Sequence, residues 1–167
     1  VGDWCVAGDL IFQSGSESET ARLATVLAGV VQPGLTLSLN GQLGAGKTCF
    51  VRSLAVGLGV NELHVSSPTF VVLQQYVDGR IPLAHFDVYR LGDVDEFLGL
   101  GGAEYLDSEE WLCLVEWGER LGGVLPADRL ELSISHTGET ARSFRFTATG
   151  PVSASVLADL RRGLGCV

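Results

Sequence analysis

Apolar residues recur along this chain at two spacings, and each change of spacing marks an element. Residues 1–13, "VGDWCVAGDLIFQ", suggest an opening strand. In "SESETARLATVLAGVV" (16–31) Leu23, Val26, Leu27 and Val30 make one helical face, and Ser16 with Glu19 gives a capping-box pattern. After the Pro33-Gly34 turn signal, "LTLSLN" (35–40) alternates as a strand does, and Phe50, Val51, Leu54, Ala55 and Leu58 then return to helical spacing before Gly59. "FVVLQQY" (70–76) and "PLAHFDVY" (82–89) flank Asp78-Gly79 and predict a hairpin. "DVDEFLGLGGAEYL" (93–106) predicts short helical pieces, and "WLCLVE" (111–116) is a continuous apolar run, as in a strand buried on both faces. "RLELSIS" (129–135) and "SFRFTAT" (143–149) alternate like half-exposed antiparallel strands, and "SASVLADLRRGL" (153–164) predicts a terminal helix. Together these elements predict a single α/β domain whose sheet is part parallel and part antiparallel.

Between the strand at 35–40 and the helix from Phe50 lies "GQLGAGKT" (41–48), in which Gly41, Gly44, Gly46, Lys47 and Thr48 satisfy G-x-x-x-x-G-K-[ST]. Strand, glycine loop, helix is the order that a phosphate-binding loop requires, and it makes the expected fold P-loop NTPase-like. Glycines let backbone N–H groups converge, and the positive helix end adds to them, so a phosphate chain is held there. Lys47 is expected to reach the β- and γ-phosphates and Thr48 to offer its hydroxyl to Mg²⁺. Lys47 is also the chain's single lysine beside ten arginines. The two cations differ where a compact ammonium must fit against a ligand, since a planar guanidinium needs more room.

Composition narrows the class. At 167 residues with 46% hydrophobic and 19% charged residues, the chain reads as globular. A formal charge of −9 argues against a broad nucleic-acid surface of its own and is compatible with docking on a basic partner. Cys5, Cys49, Cys113 and Cys166 are widely spaced with no CxxC pair, which reads as reduced thiols in a cytoplasmic protein. No apolar run approaches a membrane span.

A magnesium–nucleotide site usually has a second carboxylate at the end of a buried strand. Glu116, after "WLCLV", is the stronger candidate; Asp87, after "LAHF", is the weaker on hydrophobicity. One carboxylate could hold the metal while the other orients water. Trp117 is expected on the opposite side of the strand end from Glu116, against nucleotide, partner or core. Ser67, Pro68 and Thr69 in "SSPTF" form either a γ-phosphate-sensing switch or an ordinary turn. His85 reads as a satisfied structural histidine in its strand, and His64 and His136 form no ligand spacing with a cysteine. The guanine-reading N-K-x-D pattern has no lysine left to use, which favours ATP. Arg90 and Arg120 are isolated, unlike the cationic lid of a small-molecule kinase.

In order along the chain, "SESET", "GQLGAGKT", "SSPTF", "HFDVYR", "DEFLGLGGAEYL", "LVEWGERL" and "LPADRLELSI" resemble the TsaE (YjeE) family of bacterial ATPases, over residues 14–136. The resemblance implies an accessory ATPase that binds a TsaB–TsaD heterodimer, with contact to tRNA only through that complex. Those partners attach threonylcarbamoyl to an adenosine beside the anticodon, using the adenylate supplied by TsaC. Carried across by position, residues Gly41, Gly44, Ala45, Gly46, Lys47, Thr48 and Cys49 bind ATP, and Thr48 and Glu116 hold Mg²⁺. Asp87 matches the catalytic acidic residue, Trp117 a functionally required tryptophan, and Glu17 an acidic position near the nucleotide base. Three positions depart from the family pattern: Gln42 for Asp, Cys49 for Thr, and Gly118 for a Pro, the last expected to loosen its loop. Two rival functions remain at this stage, a small-molecule P-loop kinase and a nucleotide-gated binding module without obligatory turnover.

Overall fold

Three buried strands make the parallel centre of the fold: β3 (Thr36–Asn40), β5 (Leu83–Asp87) and β6 (Leu112–Glu116). The computed structural model describes residues 5–6, 8–66 and 70–166 of the chain. Within them β1 (Cys5–Val6), β2 (Asp9–Ser14), β4 (Leu73–Tyr76), β7 (Leu130–His136) and β8 (Arg142–Ala148) complete one sheet in the order β1-β2-β8-β7-β3-β6-β5-β4. β7 runs parallel to β3, whereas β1, β2, β8 and β4 are antiparallel to their neighbours.

Helices explain which strands read as continuous apolar runs. α1 (Glu17–Val30), α2 (Lys47–Gly57) and α5 (Pro151–Gly163) cover one face, where Leu23, Leu27, Leu54 and Leu160 meet Leu37, Leu114 and Leu132. α3 (Val94–Gly99) and α4 (Gly102–Leu106) cover the other face beneath β5 and β6, with Phe97 edge-on to Phe86 at 5.2 Å between ring centroids. A strand covered on both faces has no solvent-facing side, so β5 and β6 are buried along their whole length, His85, Asp87 and Glu116 included. β7 and β8 are covered on one face only: Leu130, Leu132, Ile134, Phe144 and Phe146 point inward, and the residues between them are polar.

The local signals act as expected in α1, where the Ser16 hydroxyl accepts the Glu19 N–H at 3.3 Å. The Glu19 carboxylate, however, reaches the Gly15 N–H at 2.6 Å, one residue before the cap. Elsewhere the structure refines the expectation. β3 is buried on both faces rather than alternating, because it is the central strand. The opening strand is two short strands with Gly8 between them, and β4 begins only at Leu73. α1 and α2 pack closely at Gly57, where a Cβ would lie 2.8 Å from the Ala28 Cβ. No helix among the described residues is long and apolar enough to cross a membrane.

Candidate functional site

Because β3, β5 and β6 are parallel, their C-terminal ends meet at one edge of the sheet, where ligands of open α/β sheets bind. The glycine loop leaves β3 there. Gly41 has φ 147°, and a Cβ on it would stand 2.4 Å from the Ile134 carbonyl oxygen, so only glycine lets the loop pass β7. Gly46, with φ 107°, begins α2 without a side-chain cap and leaves the helix N-terminus open to a ligand. Inside the loop the Ala45 N–H donates to the Gln42 carbonyl at 3.0 Å.

The first two residues of α2, Lys47 and Thr48, bring polar side chains to this edge. The Lys47 ammonium donates to the carbonyls of Gly41 at 2.6 Å and Gln42 at 3.1 Å. Burial lowers its pKa, and Glu116, Glu119 and Asp87 act against that shift in this order. The Thr48 hydroxyl donates to Glu116 Oε2 at 3.0 Å. The β5–β6 register sets Asp87 directly beside Glu116, and Asp87 Oδ1 accepts the Tyr89 N–H at 3.0 Å. Both carboxylates end fully buried strands, so the hydrophobicity contrast drawn between them in the sequence does not persist in the fold. His85 differs from its expectation too. Its Nε2 lies 2.8 Å from Glu116 Oε1, but Nδ1 is buried with no hydrogen-bond partner among the described residues.

Trp117 packs against the cluster on the α3/α4 face, opposite the face that Glu116 shares with Leu112 and Leu114, as alternation expects, and it also lines the first cleft. Its φ of 63° lies in the left-handed region just after β6. For a non-glycine residue that conformation costs about 1–2 kcal/mol. The indole then lies under the Lys47 ammonium, 3.7 Å from nitrogen to centroid, and 4.8 Å from the Tyr89 ring. The next residue, Gly118, does not loosen the loop. It is buried against Ser38, whose Oγ would lie 2.1 Å from an added Cβ, so a larger residue at 118 requires Ser38 to move.

Two clefts meet at the loop. The first, about 230 Å³, is lined by Lys47, Thr48, Asp87, Tyr89, Glu116 and Trp117. The second, about 290 Å³, is lined by Glu17, Thr20, Thr140, Arg142 and Phe144, and both include Gly44, Gly46 and Cys49. Glu17 therefore stands across the loop from the carboxylate pair. Burial and then Glu17 raise the pKa of the exposed Cys49 thiol, which keeps it protonated at neutral pH. Arg142, not singled out in the sequence, donates from Nε to the Ala45 carbonyl at 3.2 Å and ties β8 to the loop. Nothing in its local sequence marks it, since the contact crosses β7 to join β8 to the loop after β3. Tyr89 was not singled out either, although it sits within the "HFDVYR" motif, which could have marked it. Ser67, Pro68 and Thr69 lie outside the described residues. Just beyond them Val72 has φ 65°, rare for a β-branched residue, and its carbonyl accepts the Asp87 N–H at 2.9 Å.

The oxygen donors of the first cleft suit a hard cation. Thr48 and Glu116 stand within 3.0 Å of one another, and no cluster of three or more His, Cys, Asp or Glu in a ligating arrangement occurs among the described residues. Two protein donors are what Mg²⁺ uses when phosphates and water complete its octahedron. The donor set therefore fits Mg²⁺ accompanied by a phosphate ligand.

A family model described as "Threonylcarbamoyl adenosine biosynthesis protein TsaE" matches residues 14–144. The Bacillus subtilis (strain 168) tRNA threonylcarbamoyladenosine biosynthesis protein TsaE is 42% identical over 141 residues, covering 84% of this chain and 87% of the relative. The protein of the same description from Treponema pallidum (strain Nichols) is 42% identical over 121 residues, 72% of this chain and 87% of its own. Among solved structures, Bacillus subtilis YdiB superposes with a TM-score of 0.76 at 34% identity, covering 92% of this chain and 95% of that one.

Proposed function

Since this chain belongs to the TsaE family, which takes part in threonylcarbamoyladenosine biosynthesis, we propose that it is a Mg²⁺-dependent ATPase acting on a TsaB–TsaD heterodimer during tRNA modification. One observation carries the reading: Thr48, the residue after the loop lysine, is hydrogen-bonded at 3.0 Å to Glu116, which ends the neighbouring parallel strand. A phosphate-loop hydroxyl and a strand-end carboxylate in contact are the protein half of a magnesium–nucleotide site.

In this reading the loop N–H groups and the α2 N-terminus bind the phosphate chain. Lys47 exchanges the Gly41 and Gln42 carbonyls for β- and γ-phosphate oxygens, so the ligand replaces hydrogen bonds that the lysine already makes. Thr48 and Glu116 would hold Mg²⁺, which would supply positive charge near the transferring phosphoryl group. Asp87, beside Glu116 in the first cleft, accepts a hydrogen bond from water and aims its oxygen at the γ-phosphorus. The water oxygen bonds to the γ-phosphorus as the P–O bond to the β-phosphate breaks, and the water protons end on inorganic phosphate, giving ADP and inorganic phosphate. Trp117 packs the ammonium from the side away from the loop. The second cleft, beside Glu17 and Phe144, takes the nucleoside end.

The test is ATP hydrolysis by the chain alone and then with the TsaB–TsaD pair of the same organism, with Glu116→Ala as the blank. Low turnover that rises with the pair supports the proposal. Turnover indifferent to the pair overturns the partner assignment, and phosphorylation of a small metabolite in its place would establish the kinase rival. Full tRNA modification by a Glu116→Ala variant that cannot hydrolyse ATP would instead favour a nucleotide-gated binding module.

A further inference from the structure

We propose that His85 is a positioning residue for the Glu116 carboxylate, fixing the orientation in which that group meets a cation. The inference rests on the reading of Glu116 as a metal carboxylate and adds a residue that the reading does not use.

His85 is fully buried in β5, one residue after Ala84 and one before Phe86, opposite Leu114 of β6. An aliphatic side chain there would leave no polar atom to satisfy. The imidazole instead keeps a buried, unpartnered Nδ1 among the described residues. What it offers in exchange is its other nitrogen. Nε2 lies 2.8 Å from Glu116 Oε1, and a carboxylate only accepts, so Nε2 carries the proton and donates. Thr48 donates to the second oxygen, Oε2, at 3.0 Å.

The two contacts matter because of how a glutamate rotates. The terminal torsion of Glu is broad and roughly two-fold, so the side chain alone does not hold its carboxylate plane. Thr48 is itself a candidate metal ligand and its hydroxyl must turn when a cation arrives. His85 makes no such change. It is the contact that persists, and each carboxylate oxygen still has a lone pair for a cation. Hydrogen bonds of this kind to metal ligands typically alter metal affinity 10- to 100-fold when removed.

The experiment measures equilibrium binding of the non-hydrolysable analogue AMPPNP by calorimetry, with EDTA and across a Mg²⁺ titration, so that turnover plays no part. In His85→Leu, binding in EDTA is expected within about twofold of wild type, while the Mg²⁺ needed for half-maximal tightening rises at least about tenfold. His85→Gln, whose amide N–H₂ reaches as far as Nε2, is expected to recover to within about threefold of wild type. If His85→Leu does not fold, His85→Gln is compared with His85→Asn, whose amide is one bond shorter; the expected order is Gln near wild type and Asn impaired. A Mg²⁺ dependence equal to wild type in His85→Leu, equal values for Gln and Asn, or an equal loss with and without Mg²⁺ would overturn the proposal. A wild-type chain whose AMPPNP affinity ignores Mg²⁺ would overturn the metal reading itself, and this inference with it.

Discussion

Replacing Lys47 by arginine separates the shape of its side chain from its charge. The ammonium sits in a space closed by three groups: the Gly41 oxygen at 2.6 Å, the Gln42 oxygen at 3.1 Å and the Trp117 ring at 3.7 Å to its centroid. Lys47 is only 5% exposed, so a larger tip must either press on these groups or project into the first cleft, where the proposed phosphate chain would lie. A guanidinium keeps the positive charge but adds two heavy atoms at the tip. Overpacking of that kind typically costs about 1–3 kcal/mol. If the loop and the indole move to admit it, the energy is drawn from the conformation proposed to bind phosphate. At about 1.4 kcal/mol per tenfold, ATP affinity in Lys47→Arg is expected to fall roughly 5- to 100-fold. Lys47→Met, which removes the charge and fits the space, gives the comparison. Calorimetric titration of ATP into the three proteins in Mg²⁺ reads the result. Lys47→Arg binding within twofold of wild type would refute the argument from shape and leave charge as the sole requirement.

Other consequences of the structure can be measured independently. Burial pushes the Cys113 thiol up from 9.0 to about 12, so its contribution is fully present below pH 9 and is lost between pH 9 and 12, as the unfolded chain ionises first. The unfolding free energy of wild type from urea titrations should fall more steeply than that of Cys113→Ala above pH 9, by about 1.4 kcal/mol per pH unit, and equal slopes would contradict the burial argument. Gly57→Ala gains about 1 kcal/mol of helix propensity but places a Cβ 2.8 Å from the Ala28 Cβ, so a net loss of about 1–2 kcal/mol and a melting point about 2–8 °C lower are expected. Adding Ala28→Gly should restore most of that loss; a stabilised single variant would show that the helices slide apart freely. Arg142→Ala frees the Ala45 carbonyl and the 138–141 turn together, and ATP affinity should weaken about 3- to 10-fold, as expected for about 1 kcal/mol of loop ordering. An unchanged affinity would mean that the loop holds its shape without β8.

What the sequence made legible follows the reach of each physical signal. The helix caps, the Asp78-Gly79 turn and the apolar run 112–116 are local, and each led to an element close to its expected place. β3 misled because alternation was read from Thr36 and Ser38, both small enough to be buried in a central strand. The loop motif fixed one side of the site, and the strand-end rule brought Glu116 and Asp87 to the other. Two features escaped. The left-handed turn at Trp117 has no glycine or asparagine to announce it. The Arg142 contact joins residues 97 positions apart and exists only once β8 is placed.

Charge connects the two halves of the site. Lys47 is the only cation among the described residues lining the first cleft, and Asp87 and Glu116 face it there. The pull of Glu116, Glu119 and Asp87 on the lysine is strong enough to oppose the effect of burial on its pKa. A triphosphate entering such a cleft meets two carboxylates with a single ammonium between them. In a site of reduced dielectric that excess of negative charge is repulsive, and the loop dipoles supply only partial charges against it. The arrangement therefore favours a ligand that arrives with its own divalent cation over the bare nucleotide. Removing Glu116 should accordingly act in opposite directions: nucleotide binding in EDTA tightens as repulsion falls, while the gain on adding Mg²⁺ shrinks. A Glu116→Gln variant measured both ways distinguishes this from simple loss of the fold, which would weaken both. Equal weakening would remove the electrostatic argument and leave Glu116 as a structural partner of Thr48 and His85.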